Sequence, residues 1–357
     1  MNIERQVNLV RALLALSSIG LAFVFCIMLI ALSGKDPGEA LFWLFYGGFS
    51  PALIPETFIR ATPLLFVSLG LAVAFSAKIW NIGAEGQLYI GGVVTATLAL
   101  HISGAPSPIA LPMLILVSGI AGALWALIPA ILRAIYGINE VITTLMFNYI
   151  AIYFVSYLLN GPLRDPVSLF PETTTISSSL WLPIVVPGTR LHLGVILAFL
   201  IMTPIMWFFL KRTALGLKLE ILGSGEKTAK YAGIESVRMI IIAMLISGFM
   251  AGMAGGVEVL GIQHKMRLEI SPPTSPYGYT GIAVALLGYL NPLLIAATSF
   301  FLGGIMNGST TMHRMVGVPV GMAGIIQAFI ILFILLGYFL EEKFIHRIIG
   351  GLRKVEH

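Results

Sequence analysis

Residues 211–238 read KRTALGLKLEILGSGEKTAKYAGIESVR, the densest run of charge in the chain. Six of the 21 basic residues fall here (Lys211, Arg212, Lys218, Lys227, Lys230 and Arg238), joined by Glu220, Glu226 and Glu235. Long apolar runs lie on both sides. The 357-residue chain is 58% hydrophobic and only 10% charged, against about 25% charged residues in a soluble domain. Such a sequence cannot solvate its own surface, so its solvent is lipid. The expected fold is an all-α, polytopic transmembrane helical bundle, because helices satisfy every backbone group within one segment. The charged run is then a loop outside the hydrocarbon.

Working outward, the apolar stretches predict ten spans, each needing about 20 residues to cross. They are 10–32, 61–79, 84–101, 109–132, 139–159, 191–210, 239–260, 278–290, 292–309 and 320–340. The stretch between the first two, GEALFWLFYGGFSPALIPETFIR, is too interrupted for a span and reads as an amphipathic segment at the membrane surface. The chain reads as one transmembrane domain over 1–357, with 211–238 and 160–190 as its two large loops.

Lysine and arginine set the expected orientation. With the N-terminus inside, the inner side carries Arg5, Arg11, Lys78, Arg133, the six bases of 211–238, and Lys343, Arg347, Arg353 and Lys354, fourteen in all. The outer side carries seven: Lys35, Arg60, Arg164, Arg190, Lys265, Arg267 and Arg314. Both termini and 211–238 are therefore expected in the cytoplasm. Loop 160–190 is expected on the opposite face, as a solvated connector or a surface that meets a partner. The net charge of +5 suits anionic lipid and gives no sign of nucleic-acid binding. Only Asp36 and Asp165 represent aspartate, both in expected loops. The lone Cys26 excludes an intrachain disulfide and any cysteine metal spacing.

Four local patterns bear on chemistry. Asn81-Ile-Gly-Ala-Glu85-Gly-Gln87 is a glycine-rich break between apolar runs. It reads either as a discontinuous helix beside a pathway or as a tight cytoplasmic turn with Glu85 near a helix N-terminus. Gly137-Ile-Asn139-Glu140-Val-Ile-Thr143-Thr144 runs on to Asn148. Asn139 and Thr143 share a helix face, Asn148 falls off it, and the pattern serves either a pathway or a helix cap. Gly248, Gly252 and Gly256, four apart, read as a close helix-packing stripe, and Glu258 follows as an intramembrane carboxylate. Gly223-Ser-Gly-Glu226-Lys227-Thr228 imitates a phosphate loop, but Glu226 stands where glycine must precede the lysine and Ile221 where another glycine belongs. Nucleotide binding by this chain is rejected. The six histidines are scattered and no nucleophile–base set appears, so a membrane-embedded enzyme is not expected.

Within 211–238, Glu226 to Ala232 reads as a short helix closed by Gly233 in a C-cap role. It is either a docking element for a soluble partner or a plain positively charged inner loop.

Trp80-Asn-Ile-Gly-Ala-Glu-Gly-Gln-Leu88, Gly137-Ile-Asn-Glu-Val-Ile-Thr-Thr-Leu-Met-Phe-Asn-Tyr149, the run Leu222 to Ile234 and the Gly-Tyr-Thr-Gly-Ile-Ala-Val-Ala stretch at 278–285 resemble permease subunits of bacterial ABC importers. The branch is that of ribose/galactose and branched-chain amino-acid permeases. The nearer likeness is to nucleoside, or simple-sugar, permeases that work with basic-membrane-protein-like lipoproteins. The resemblance spans nearly the whole chain. It implies a bacterial cytoplasmic-membrane protein, with 223–234 as the coupling helix seated in a separate ABC ATPase subunit. Gly223, Glu226, Lys227, Ala229, Lys230, Tyr231 and Gly233 would form that contact. ATP and Mg would be used by the ATPase, with no cofactor on this chain. A second, different permease subunit and an extracytoplasmic substrate-binding lipoprotein are the other implied partners. A nucleoside pathway needs hydrogen-bonding groups, and Asn81, Glu85, Gln87, Asn139, Glu140, Thr143 and Asn148 are the candidates. The rival expectation is an ion-coupled secondary transporter of a small polar solute, using Glu85, Glu140 or Glu258.

Overall fold

The structure is a computed structural model that describes residues 20–21, 24–102 and 104–319, with a few positions between 321 and 336. Arg5 and Arg11, the basic tail from Lys343 to Lys354, the start of the expected first span and most of the tenth lie outside the described residues. Among the described residues there is no β-strand, only two isolated bridges.

The helices are α1 (described over 24–32), α2 (Pro37–Phe49), α3 (Ile54–Ser76), α4 (Ala84–His101), α5 (Ser107–Tyr136) and α6 (Glu140–Asn160). They continue with α7 (Leu193–Arg212), α8 (Ala214–Ser224), α9 (Glu226–Tyr231), α10 (Ser236–Gln263), α11 (Tyr277–Leu287) and α12 (Pro292–Val316). Six of these (α3, α5, α6, α7, α10 and α12) are long and apolar enough to cross a membrane.

Three sequence expectations need correction. The second span begins at Ile54, not 61, so the back half of the interrupted 38–60 stretch belongs to a spanning helix. The front half forms α2, which Asp36 caps by accepting from the N–H groups of Gly38 (2.7 Å) and Glu39 (3.0 Å). The 278–290 stretch is helical for only eleven residues, about 16 Å at 1.5 Å per residue, far short of the ~30 Å hydrocarbon. Pro276 starts α11 and Gly288 stops it, and Tyr289 and Leu290 then take left-handed backbone at φ 51° and 54°.

The chain divides into two compact units, Ile54–Gly304 and the two terminal segments 1–53 and 305–357. In the terminal unit Cys26, Ile30, Ala40, Leu44, Ile305, Met312 and Val318 form one apolar cluster. Asn307 Nδ2 donates to the Gly47 carbonyl (2.8 Å).

In the larger unit α10 is the hub, packing on α5, α4 and α3. The small-residue stripe makes this possible. Gly248 faces Ala126 and the Gly122 carbonyl, Gly252 faces the Ser118 carbonyl, and Gly256 faces Ser118 and Thr95. A side chain on Gly252 would run into backbone, which cannot swing aside. The last turn of α10, Val259–Gln263, widens to a π-helix, a deviation that recurs at functional positions.

This packing predicts that Gly252→Ala lowers the stability of the detergent-solubilised protein by about 1–3 kcal/mol, the usual overpacking cost. Gly104→Ala is the control, since nothing lies within 4 Å of its added Cβ. Equal melting temperatures for the two variants would contradict the close α5–α10 approach.

Candidate functional site

Helix α3 ends at Ser76 with Lys78 in the left-handed region (φ 54°) and Ile79 N–H donating back to the Ala74 carbonyl (3.0 Å). The chain does not turn straight into the next helix. Residues 77–83 run non-helically back into the bundle. Ile82 N–H donates to Thr144 Oγ1 (3.1 Å), and Gly86 N–H to Asn148 Oδ1 (2.7 Å). Asn148 stands eight residues along α6, about 12 Å from its start. Asn81 and Gly83 in the break are therefore buried, whereas Lys78 and Trp80 before them are exposed.

Its side chains are spent on one another. Asn81 Nδ2 donates to Ser247 Oγ (2.9 Å) and Gln87 Oε1 (3.0 Å), and Gln87 Nε2 donates to Asn81 Oδ1 (3.1 Å). Asn148 Nδ2 donates to the Ile82 carbonyl (2.6 Å) and to Tyr279 Oη (3.2 Å). Asn81, Gln87 and Asn148 are almost wholly buried. Glu85 also lies inside. Gly278 N–H donates to its Oε2 (2.6 Å), and Ser271 Oγ, which accepts from Tyr277 N–H (2.7 Å), hydrogen-bonds it too. Glu85 thus satisfies the Gly278 N–H directly and holds the Ser271 hydroxyl that takes the Tyr277 N–H, while sitting in the first turn of α4. The two helix starts meet so closely that a Cβ on Gly278 would touch Glu85 Cα and Cβ at 2.6 and 2.7 Å.

The Gly137–Asn148 pattern splits. Asn139 caps α6 by accepting from Val141 N–H (2.9 Å), and Thr143 Oγ1 donates to the Asn139 carbonyl (3.3 Å). The pair on the buried face is Thr144 with Asn148, in the series Thr144, Asn148, Ala151, Val155, Leu159. That series was written in the sequence, but the Asn139–Thr143 spacing drew attention to the neighbouring face. Glu140 opens α6 and accepts from Trp80 N–H (3.4 Å). It also pairs with Arg133 Nε (3.1 Å), whose Nη2 reaches Glu226 (3.2 Å).

Glu226 belongs to α9, so the 211–238 run and the break meet at one end of the unit. Gly223 is buried against the Ser76 carbonyl, and Ala229 is fully buried. Glu226, Lys227, Lys230 and Tyr231 point outward, Tyr231 being 93% exposed. Gly233 has φ +69°, the left-handed position that closes a short helix.

The opposite end holds residues that pattern reading did not assemble. Loop 160–190 is clasped to the end of α10: Thr173 N–H donates to the Met266 carbonyl (3.0 Å), Ile176 N–H to that of His264 (2.8 Å) and Leu182 N–H to that of Leu260 (3.0 Å). Trp181 stacks on His264 with ring centroids 3.8 Å apart. Glu172 pairs with Lys265 (2.8 Å) and Arg267 (3.2 Å), and the Lys265 hydrogen bond holds its carboxyl below the usual range. Beside the clasp, Glu56, Arg60, Arg190, Glu258, Gln263 and Tyr277 line a polar cavity of about 340 Å³. Arg190 pairs with Glu56, and Arg60 hydrogen-bonds Tyr277. In the sequence Glu258 stands out by its setting in an apolar run, whereas Arg60 reads only as a loop charge. The one local signal was the Glu56–Arg60 spacing opening an apolar run.

A bundle of six span-length apolar helices, interrupted by a buried break and flanked by a charged elbow, defines a multi-pass membrane protein. The family described as "Branched-chain amino acid transport system / permease component" matches residues 53–335, and the chain belongs to it. The guanosine ABC transporter permease protein NupP of Bacillus subtilis is 33% identical, covering 94% of this chain and 95% of that protein. The glucose ABC transporter permease protein TsgB13 of Haloferax volcanii is 30% identical over 96% and 93%. The nucleoside ABC transporter permease protein NupB of Lactococcus lactis is 29% identical over 90% and 91%. Each organism supplies a second, less similar permease protein, NupQ, TsgC13 and NupC, at 27%, 24% and 22% identity. No solved structure matches.

The clasp carries a pH dependence. Burial pushes His192 down to about 4, and His264 is also lowered by burial. Their neutral forms belong to the folded loop, and His192 Nδ1 accepts from Gly194 N–H (3.2 Å). Both histidines contribute stability that is full above about pH 6.5 and is lost as pH falls toward the folded values. Glu172, lowered as well, adds a loss in the same direction at more acid pH. Amide exchange across 165–192, corrected for its intrinsic pH dependence, should stay constant from pH 8 to 7 and rise as pH drops from 6.5 to 4. A flat profile would contradict the clasp.

Proposed function

We propose that this chain is a membrane-spanning permease subunit of an ATP-driven ABC importer for nucleosides, working by alternating access. The observation that carries the reading is the exposed α9 elbow, tied through Arg133 to the buried break, on a chain of this permease family. In this reading the 211–238 side faces the cytoplasm and 160–190 faces outward. Lys78, Arg133 and the 211–238 bases gather at one end of the larger unit. Arg190, Lys265 and Arg267 gather at the other, the asymmetry that the positive-inside rule uses. The membrane is a bacterial cytoplasmic membrane.

The partners follow from the same reading. A separate ABC ATPase uses ATP and Mg, and this chain binds neither. Its groove receives the 223–234 coupling segment, with Glu226, Lys227, Lys230 and Tyr231 as the contact face and Gly223 and Ala229 packed inward as the hinge of the elbow. A second, different permease completes the pathway, a reading supported by the further permease protein from each of the three relatives' organisms. An extracytoplasmic substrate-binding lipoprotein delivers solute to the 160–190 face, where Val167, Leu169 and Phe170 stand exposed. The nucleoside class rests on the guanosine and nucleoside permeases among the relatives; a sugar is the second choice, on the glucose permease.

ATP-driven movement of the ATPase pulls α9. Arg133 passes the shift to Glu140 and to the Trp80 backbone, and so to the break. Asn81, Glu85, Gln87, Thr144 and Asn148 then shape the pathway by holding the break together, with Asn139, Glu140 and Thr143 fixing the start of α6.

Two measurements test this. Vesicles carrying the full transporter should take up guanosine only with ATP and the ATPase. Uptake that persists without them and collapses with the ion gradient would favour an ion-coupled transporter. Tyr231→Ala should abolish ATPase co-purification, whereas Arg133→Ala should leave the ATPase bound and lower solute moved per ATP hydrolysed by severalfold. Unchanged coupling in Arg133→Ala would remove that residue from the path.

A further inference from the structure

The polar cavity between α3, the end of α10 and the 267–277 segment combines two buried polar side chains, Glu258 and Tyr277, with a rim of partly exposed charges. Three acidic side chains (Glu56, Glu258 and Glu269) and three arginines (Arg60, Arg190 and Arg267) line it. Glu258 is 7% exposed and Tyr277 only 2%. A carboxyl group at the end of a long apolar helix is costly and is kept where it has a task. The partners of Glu258 are few: Gln263 hydrogen-bonds it, and Arg60 faces it without a contact as close as 4.0 Å among the described ion pairs. Gln263 Nε2 is committed to the Glu269 and Ile270 carbonyls (3.4 and 3.1 Å), and its Oε1 is buried with no hydrogen-bond partner. Two helices thus hold a donor and an acceptor toward a common space, with room between them.

The size and the charge balance define the occupant. About 340 Å³ is at the small end of ligand pockets. Three formal negative charges offset three positive ones, so neither an anion nor a cation gains from entering. A neutral solute rich in donors and acceptors does. The floor of the cavity is Ser271 and Tyr277, whose hydroxyl and N–H are bonded to each other and on to Glu85. An occupant would therefore rest directly above the paired starts of α4 and α11.

We propose that this cavity is a solute station on the permease itself. It holds a neutral polar solute, with Glu258 accepting an adjacent pair of donors and Arg60 donating to an acceptor. The proposal rests on the importer reading above and adds the place and chemistry of solute contact. In a nucleoside the adjacent donor pair is either the ribose 2′,3′-diol or the N–H edge of guanine.

The test uses the full transporter in nanodiscs, without the binding protein, and 8-azidoguanosine as photolabel. Label is expected in peptides spanning 256–277, displaced by excess guanosine and not by guanosine 5′-monophosphate. Labelling in Glu258→Gln and in Arg60→Gln should fall at least tenfold, since a site built for hydrogen bonds rejects a mismatched partner strongly. Size-exclusion profiles of both variants report whether assembly is intact. The wild-type label stands as the independent measure where a variant fails to assemble. Competition by inosine, which lacks the 2-amino group, against 2′,3′-dideoxyguanosine identifies the donor pair: the weaker competitor has lost it. Label spread over the chain, label indifferent to guanosine, or label unchanged in both assembled variants overturns the station. Wild-type vesicles that import guanosine with ATP while these labelling results fail would sink the station alone. Vesicles that import no guanosine would sink the nucleoside reading and the station with it.

Discussion

Hydrocarbon offers no hydrogen bonds, so a backbone break inside a membrane bundle must be satisfied by the protein. The segment 77–83 and the start of α11 meet this demand together, and the buried Asn81, Glu85, Gln87, Thr144, Asn148, Ser247 and Ser271 serve it. Glu85 takes the Gly278 N–H at the start of α11, Asn148 takes Gly86 N–H and the Ile82 carbonyl, and Thr144 takes Ile82 N–H. Leaving one such group unmet costs about 1–3 kcal/mol. Removing any of these side chains strands at least one. The close approach at Gly278 follows from the same demand, because the Glu85 carboxyl reaches that N–H only if the helix starts touch.

This use of polar groups separates two roles that the sequence blends. Asn, Gln and Glu in an apolar chain invite a pathway reading, since each can contact solute. Here Asn81, Gln87 and Asn148 have their hydrogen bonds committed to neighbours. Arg60 and Glu258 instead line a polar cavity, at the end of the unit away from α9. A group whose valences are filled by the fold supports geometry, and a group with unfilled valence beside a cavity is available to a ligand.

Much of the architecture was legible because its signals are local. The charged run 211–238 marked itself by contrast with its flanks, and Gly233 announced the end of α9. Gly248, Gly252 and Gly256 declared a packing face by spacing alone. What stayed hidden is non-local. Nothing near Arg60 points to Tyr277, more than two hundred residues on, or to Glu258. The half-length of α11 was masked because Leu286 to Leu290 stays apolar across the Gly288 stop. The buried face of α6 was misjudged by one residue, since Thr143 and Thr144 are the same type on different faces, and only a packed neighbour, here Ile82, decides between them.

The break also has a geometric consequence for the proposed cycle. Asn81 and Glu85 are four residues apart on one short segment. One end of it is reached from α9 through Glu226, Arg133, Glu140 and Trp80, the other from the cavity floor through Ser271 and Tyr277. The ion pairs near α9 are partly exposed and individually weak, so they steer the segment without locking it. The buried hydrogen bonds at Glu85 and Asn148 are the stronger ties. A displacement of α9 large enough to move Trp80 must therefore be absorbed by Gly83 and Gly86 or transmitted to the α4–α11 junction. Gly83 and Gly86 have little slack, because a Cβ at either would already meet neighbours at about 3.0 Å. Transmission is the lower-cost outcome. A permease that must open one side and then the other is served by a segment that cannot yield locally.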